Sequence, residues 1–203
     1  MKAEDGEKKQ KNFSKTSAHL LKCNPKGRIV MNQKSLSEPN HQEKPDKFIL
    51  DATAGYRMMW KNKKHPNALY IDLKKECSPD AVQDFRCLPY ADSTFKLVVF
   101  DPPHIIQNAK GNMVRDFGAL NPDTWAKDLD AGFRECWRVL EDYGILIFKW
   151  SELCHKRLSQ IEPYFPAEPL FTQITKNTLD SRGRTSRVYW CCFMKIKDKK
   201  RGE

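Results

Sequence analysis

The apolar run Phe95-Lys96-Leu97-Val98-Val99-Phe100 stops at Asp101-Pro102-Pro103-His104, and this junction constrains the fold more than any other stretch. The run reads as a buried strand, so a carboxylate and two prolines emerge at its C-terminal edge, where ligands bind in open α/β sheets. Two consecutive prolines remove two N–H donors and fix φ near about −65°. The local carbonyls then face outward with no competing donors beside them. Such carbonyls next to a carboxylate form a set of acceptors suited to gripping an amino group. The bland alternative is a strand ending in a Pro-Pro turn, because Asp-Pro commonly opens turns.

The rest of the chain repeats the strand-then-acid pattern. Phe48-Ile49-Leu50 leads into the small-residue turn Asp51-Ala52-Thr53-Ala54-Gly55, and Ala68-Leu69-Tyr70-Ile71 ends in Asp72. Ala81-Val82-Gln83-Asp84 reads as a short third strand and residues 97–101 as the fourth. Residues 122–140 carry Pro122 near a first helical turn and then Trp125, Leu129, Phe133, Trp137 and Leu140 at helical spacing. Gly144-Ile145-Leu146-Ile147-Phe148-Lys149-Trp150 is a fifth strand, followed by a short helix over 153–161. Residues 169–175 and 188–195 read as strands whose polar connection is too short for a crossover helix, so they pair antiparallel. The expected fold is α/β, an open and mostly parallel sheet closed by an antiparallel hairpin.

Four acids thereby reach one sheet edge. Small residues from Asp51 to Gly55 allow close backbone approach to a ligand. Asp72 stands where an acid accepts the ribose hydroxyls of an adenosine cofactor, and Asp84 with Phe85 offers an acceptor and an apolar wall for an adenine ring. Each acid alone reads as a turn residue or helix cap; four at successive strand ends do not. The chain lacks both G-x-G-x-x-G after its first strand and G-x-x-x-x-G-K-[ST], which argues against dinucleotide and phosphate-cradling enzymes.

Composition narrows the setting. Of 203 residues, 39% are hydrophobic and 31% charged, so one domain with charged tails is expected: a flexible basic segment over 1–46, a folded domain over 47–196 and a charged tail over 197–203. The net charge of +10 favours a polyanionic partner. No apolar run approaches the roughly 18–20 residues that span a bilayer, and the charged start has no secretory h-region, so a cytoplasmic, non-membrane protein is expected. The seven cysteines are odd in number and lack C-x-x-C spacing, so most are expected as buried reduced thiols, with no structural metal.

From Phe48 to Lys195 the chain resembles the small phage- and prophage-type class I S-adenosylmethionine-dependent methyltransferases. The matching pieces are Asp51-Ala52-Thr53-Ala54-Gly55-Tyr56-Arg57-Met58-Met59-Trp60, Leu69-Tyr70-Ile71-Asp72, Asp101-Pro102-Pro103-His104, Leu146-Ile147-Phe148-Lys149-Trp150 and Trp190-Cys191-Cys192-Phe193-Met194-Lys195. The fourth of a D/N-P-P-aromatic signature is here His104, and the usual glycine-rich turn is reduced to Gly55. The resemblance implies a seven-stranded Rossmann-like fold, S-adenosylmethionine held by residues 51–55, Asp72, Asp84 and Phe85, and an acceptor amino group held by residues 101–104. It implies methylation of an exocyclic nucleobase nitrogen, with adenine N6 in DNA ahead of RNA adenine or protein glutamine. A nucleic-acid-binding module with a degenerate site is the alternative from another class. Lys149 and Trp150 are candidate acceptor contacts, Arg57 a candidate partner for a cofactor carboxylate, and Arg182, Arg184 and Arg187 candidate phosphate contacts. His104 is expected to stack on the base.

Overall fold

The computed structural model describes residues 46–107, 111–152, 156–176 and 187–197. Its strands are β1 (Ile49–Asp51), β2 (Ala68–Asp72), β3 (Ala81–Val82), β4 (Phe95–Phe100), β5 (Leu140–Ser151), β6 (Phe171–Lys176) and β7 (Arg187–Met194). Two helices, α1 (Asn112–Phe117) and α2 (Trp125–Val139), lie between β4 and β5. The strands form one seven-stranded sheet in the order β3-β2-β1-β4-β5-β7-β6. The first five run parallel, and β7 pairs antiparallel with both β5 and β6. This is the expected mostly parallel, Rossmann-like sheet with a C-terminal antiparallel hairpin. Strand order reverses between β1 and β4, so a crevice opens where their C-terminal ends diverge.

The central strands bury a run of apolar side chains beneath the packed helix. Leu50 in β1, Val98 and Phe100 in β4 and Leu146 and Phe148 in β5 are all fully buried. Helix α2 packs on this sheet through Leu129, Gly132, Phe133, Cys136 and Val139. Phe133 meets Phe100 at 5.3 Å and Phe148 at 4.8 Å between ring centroids. Burying each such ring contributes about 1.5–3 kcal/mol. Gly132 is required by this packing, since a Cβ there would stand 2.7 Å from Phe100 and from Phe85.

The structure departs from expectation at several boundaries. Of the residues expected at helical spacing, Leu129, Phe133 and Leu140 are fully buried, while Trp125 and Trp137 are half-exposed and pack against the edge of the core. Steps of four advance past the 3.6-residue turn, so such a row winds off the buried face, whereas 129, 132, 133, 136 and 139 stay on it. The helix ends at Val139, and Leu140 turns extended to begin β5, four residues earlier than the expected strand. The third strand contains Ala81 and Val82 only, because Asp84 and Arg86 close a turn on themselves. In place of a helix over 153–161 there are two single 3₁₀ turns, Leu158–Gln160 and Glu162–Tyr164, residues 153–155 being outside the described set. The helix α1 was not anticipated. Cys77, Cys136, Cys191 and Cys192 are buried and free. The tails over 1–45 and 198–203, with Arg182 and Arg184, also lie outside the described residues.

Candidate active site

The turn after β1 is built around a buried carboxyl. Asp51 is 1% exposed, and its Oδ2 accepts the Trp60 indole N–H at 2.6 Å. Its Oδ1 accepts the Thr53 amide at 3.3 Å. Burial pushes this carboxyl up from 3.8 to about 7, against those two hydrogen bonds, and the nearby Asp101 and Asp72 charges add to the rise. Asp51 is absent from the cavity wall described below, which corrects its expected place as a cofactor contact: it holds the turn from beneath. The turn itself does face the cavity. Ala52, Thr53, Ala54 and Gly55 line it, and Gly55 adopts φ 48° with open space where a Cβ would point.

Asp72, ending β2, carries its carboxylate to the same opening. Oδ2 accepts the Gly55 amide and Oδ1 the Lys74 amide, both at 2.8 Å. One side chain therefore fixes two loops while retaining free lone pairs on the cavity side. Asp84 does not join it. Arg86 chelates both Asp84 oxygens at 2.6–3.0 Å and reaches on to Asp128 at 2.9 Å, so Asp84 is consumed by a salt bridge off the wall. Gln83, Phe85 and Arg86 border the cavity instead. Arg57 is likewise structural, bonded to Ser78 O and Asp80 and resting 4.1 Å above the Tyr70 ring.

Beyond β4 the Asp101–His104 segment is assembled from three elements. The Asp101 amide donates to Thr53 Oγ1 at 2.8 Å, tying the motif to the β1 turn. Lys149 from β5 places Nζ 2.7 Å from Asp101 Oδ2. His104 places Nε2 2.9 Å from Oδ1. Nδ1 of His104 is buried without a hydrogen bond among the described residues. Burial raises the Asp101 carboxyl, but His104 and Lys149 outweigh it and hold the group below the ordinary carboxylate value. Pro102 is buried and Pro103 half-buried.

Successive residues of a strand point to opposite faces, and this separates Lys149 from its neighbour. Trp150 is fully buried, and its indole N–H donates to the Lys156 carbonyl at 2.9 Å. It therefore cannot contact an acceptor, contrary to expectation. It meets the His104 ring edge-on at 5.0 Å and 82°, backing that side chain from the core. Arg187 is exposed at the start of β7 and is not on the cavity wall.

These groups converge on a cavity of about 670 Å³, within the range of small-molecule and cofactor sites. Its far wall is the unanticipated segment over 113–121, including Met113, Phe117 and Asn121. Lys74 anchors that wall by donating to the Arg115 carbonyl and, at 3.2 Å, to that of Asp116. At Gly118, φ is 77° and a Cβ would sit 3.3 Å from Pro103, so glycine lets the wall close on the Pro102-Pro103 turn. Helix α1 is a six-residue segment, and although Met113, Val114 and Phe117 are apolar, none of its residues is buried. Trp60 was legible in principle, because a buried indole N–H requires an acceptor.

No protein-family model matches the chain, and no curated protein matches it in sequence. Among solved structures, a SAM-dependent methyltransferase from Methanosarcina mazei is 13% identical with a TM-score of 0.48, over 78% of this chain and 96% of that one. TrmN from Thermus thermophilus is 14% identical with a TM-score of 0.46, over 72% of this chain and 44% of its own. Haemonchus contortus phosphoethanolamine N-methyltransferase 2, in complex with phosphomonomethylethanolamine and S-adenosylhomocysteine, is 11% identical with a TM-score of 0.47, over 76% and 50%. Strand order and register, not these likenesses, define the fold. No helix among the described residues is long and apolar enough to cross a membrane.

Proposed function

We propose that the protein transfers a methyl group from S-adenosylmethionine to an exocyclic amino nitrogen of a nucleobase, adenine N6 in DNA being the intended acceptor. The observation that carries this reading is the Asp101 carboxylate on the cavity wall, paired with Lys149 at 2.7 Å and followed by Pro102 and Pro103 on the same wall. A carboxylate is an acceptor only, and an amino group supplies the donor.

The cavity fits the cofactor. The Ala52–Gly55 turn gives close backbone approach, the Asp72 carboxylate can accept ribose hydroxyls, and Phe85 offers an apolar wall for adenine. When bound, S-adenosylmethionine supplies an electrophilic methyl group on a sulfonium. The chain's own residues do the positioning. Lys149 keeps Asp101 ionised through Oδ2, and the carboxylate accepts one N–H of the acceptor. That hydrogen bond and one to the Pro102 carbonyl draw an amino nitrogen toward pyramidal geometry and free its lone pair. Fixing reactants in this way can supply about 7–11 kcal/mol. A base in a duplex must first be flipped out, and the net charge of +10 suits the phosphates that flank it.

The test is incubation with methyl-labelled cofactor and DNA, RNA and protein acceptors, followed by mass spectrometry of digested products. N6-methyl-2′-deoxyadenosine from DNA is the expected labelled product. Label on RNA or on glutamine redirects the substrate assignment, and no label on any acceptor contradicts the reading.

A further inference from the structure

Resting on the amino-transfer reading, we infer that Thr53 is a positioning residue for methyl transfer. Its hydroxyl, on the turn after β1, holds the backbone of Asp101 and so sets the acceptor carboxylate against the methyl donor. Pro102 and Pro103 carry no N–H, so the Asp101 amide is the last backbone donor before His104. It donates to Thr53 Oγ1 at 2.8 Å. Backbone pairing between β1 and β4 ends at Asp51 and Val99, and the Ala52 amide adds one bond to the Val99 carbonyl at 2.9 Å. Past that bond the two chains diverge into the crevice, and the Thr53 hydroxyl joins them there.

The hydroxyl stands on a fixed support. The Thr53 amide donates to Asp51 Oδ1 at 3.3 Å, and the buried Asp51 holds the Trp60 indole N–H through Oδ2 at 2.6 Å. A β-branched side chain is also stiff at χ1, so Oγ1 does not swing freely. On the other side of Asp101, Lys149 meets Oδ2 at 2.7 Å. The carboxylate is therefore held at two points. Thr53 fixes the backbone from which it projects, and Lys149 fixes its far end. Releasing the first leaves Asp101 paired with Lys149 but lets its Cα shift.

Thr53 and Asp101 line the same cavity, Thr53 within the small-residue turn that gives the cofactor close backbone approach. Methyl transfer needs its two reacting atoms about 3–3.5 Å apart and aligned, and a displacement of about 1 Å can cost on the order of 10²-fold in rate. The bond from the Asp101 amide to Thr53 Oγ1 sets that separation from the protein's side. It links the turn that holds one reactant to the segment that grips the other. Valine keeps the branched shape of threonine without the oxygen, so the hydroxyl can be separated from its packing.

The experiment compares wild type with Thr53→Val and Thr53→Ala, which remove the oxygen with and without its shape, and with Thr53→Ser, which keeps it. Thr53→Val and Thr53→Ala should bind S-adenosylmethionine like wild type in the calorimeter, keep the cofactor KM and lose kcat by on the order of 10–10²-fold. Thr53→Ser should retain most of the rate. In the cofactor-free protein, hydrogen exchange read by nitrogen-15 NMR should show the Asp101 amide protected in wild type and Thr53→Ser. That protection should be lost in Thr53→Val and Thr53→Ala while the amides of β4 and β5 keep theirs. Wild-type kcat without the oxygen, or an Asp101 amide that stays protected without it, overturns the inference alone. Equal damage from Thr53→Ser and Thr53→Val overturns it as well, and so does lost cofactor affinity with kcat intact, which would assign the hydroxyl to the cofactor. A wild type that binds cofactor but methylates nothing overturns the amino-transfer reading and this inference with it.

Discussion

Asp51→Asn isolates the carboxyl beneath the site. In the folded protein this group titrates at about 7 against an ordinary 3.8, because burial disfavours its charged form. A folded-state value above the unfolded one means that folding favours the protonated acid. Its stabilising share is complete below about pH 3.8 and is lost as pH rises to about 7. That interval of about 3 pH units, at about 1.4 kcal/mol each, amounts to about 4 kcal/mol. Asparagine retains an oxygen for the Trp60 indole N–H but does not titrate. Urea unfolding from pH 4 to 8, followed by far-ultraviolet circular dichroism, should show the variant gaining about 4 kcal/mol on wild type across the series. Because Asp51 is off the cavity wall, S-adenosylmethionine affinity at pH 6 should not change. A stability difference that stays constant with pH, or grows in favour of wild type, would refute the buried-acid account.

Other substitutions probe the remaining supports. Gly132→Ala should cost about 1–3 kcal/mol by overpacking, read as a lower urea midpoint, because its Cβ presses on Phe100 and Phe85. Lys149→Met should cost about 1.5–3 kcal/mol at pH 7 by stripping Asp101 of a cation 2.7 Å away. Asp101 sits below its ordinary value, so its stabilising share exists above pH 3.8 and vanishes as pH falls through the folded value; the gap between Lys149→Met and wild type should close in acid. Asp72→Asn should weaken S-adenosylmethionine binding by about 1.5–3 kcal/mol in calorimetry, and unchanged affinity would remove Asp72 from the cofactor site.

The sheet was legible because its strands are apolar blocks ending in acids and turn residues, and that pattern survives any detail of packing. The wall over 113–121 was not, because it is held by backbone carbonyls bonded to Lys74 and by Gly118 against Pro103, neither of which leaves a periodic pattern. Strand-end position brings Asp72 and Asp101 to the cavity wall. It failed for Asp51 and Asp84 for one reason: a carboxylate at a strand end is captured by whatever donor lies nearest. Trp60 took the first and Arg86 the second. Lys149 and Trp150 are adjacent in sequence, and only the pleat of β5 decides that the lysine reaches Asp101 while the tryptophan enters the core.

The central claim, that Asp101 grips the acceptor amino group, is tested most directly by Asp101→Ala in paired assays. The account predicts a folded variant that binds S-adenosylmethionine with wild-type affinity in the calorimeter and transfers no label to any acceptor that wild type methylates. Appreciable methyl transfer by the pure, folded variant would contradict it.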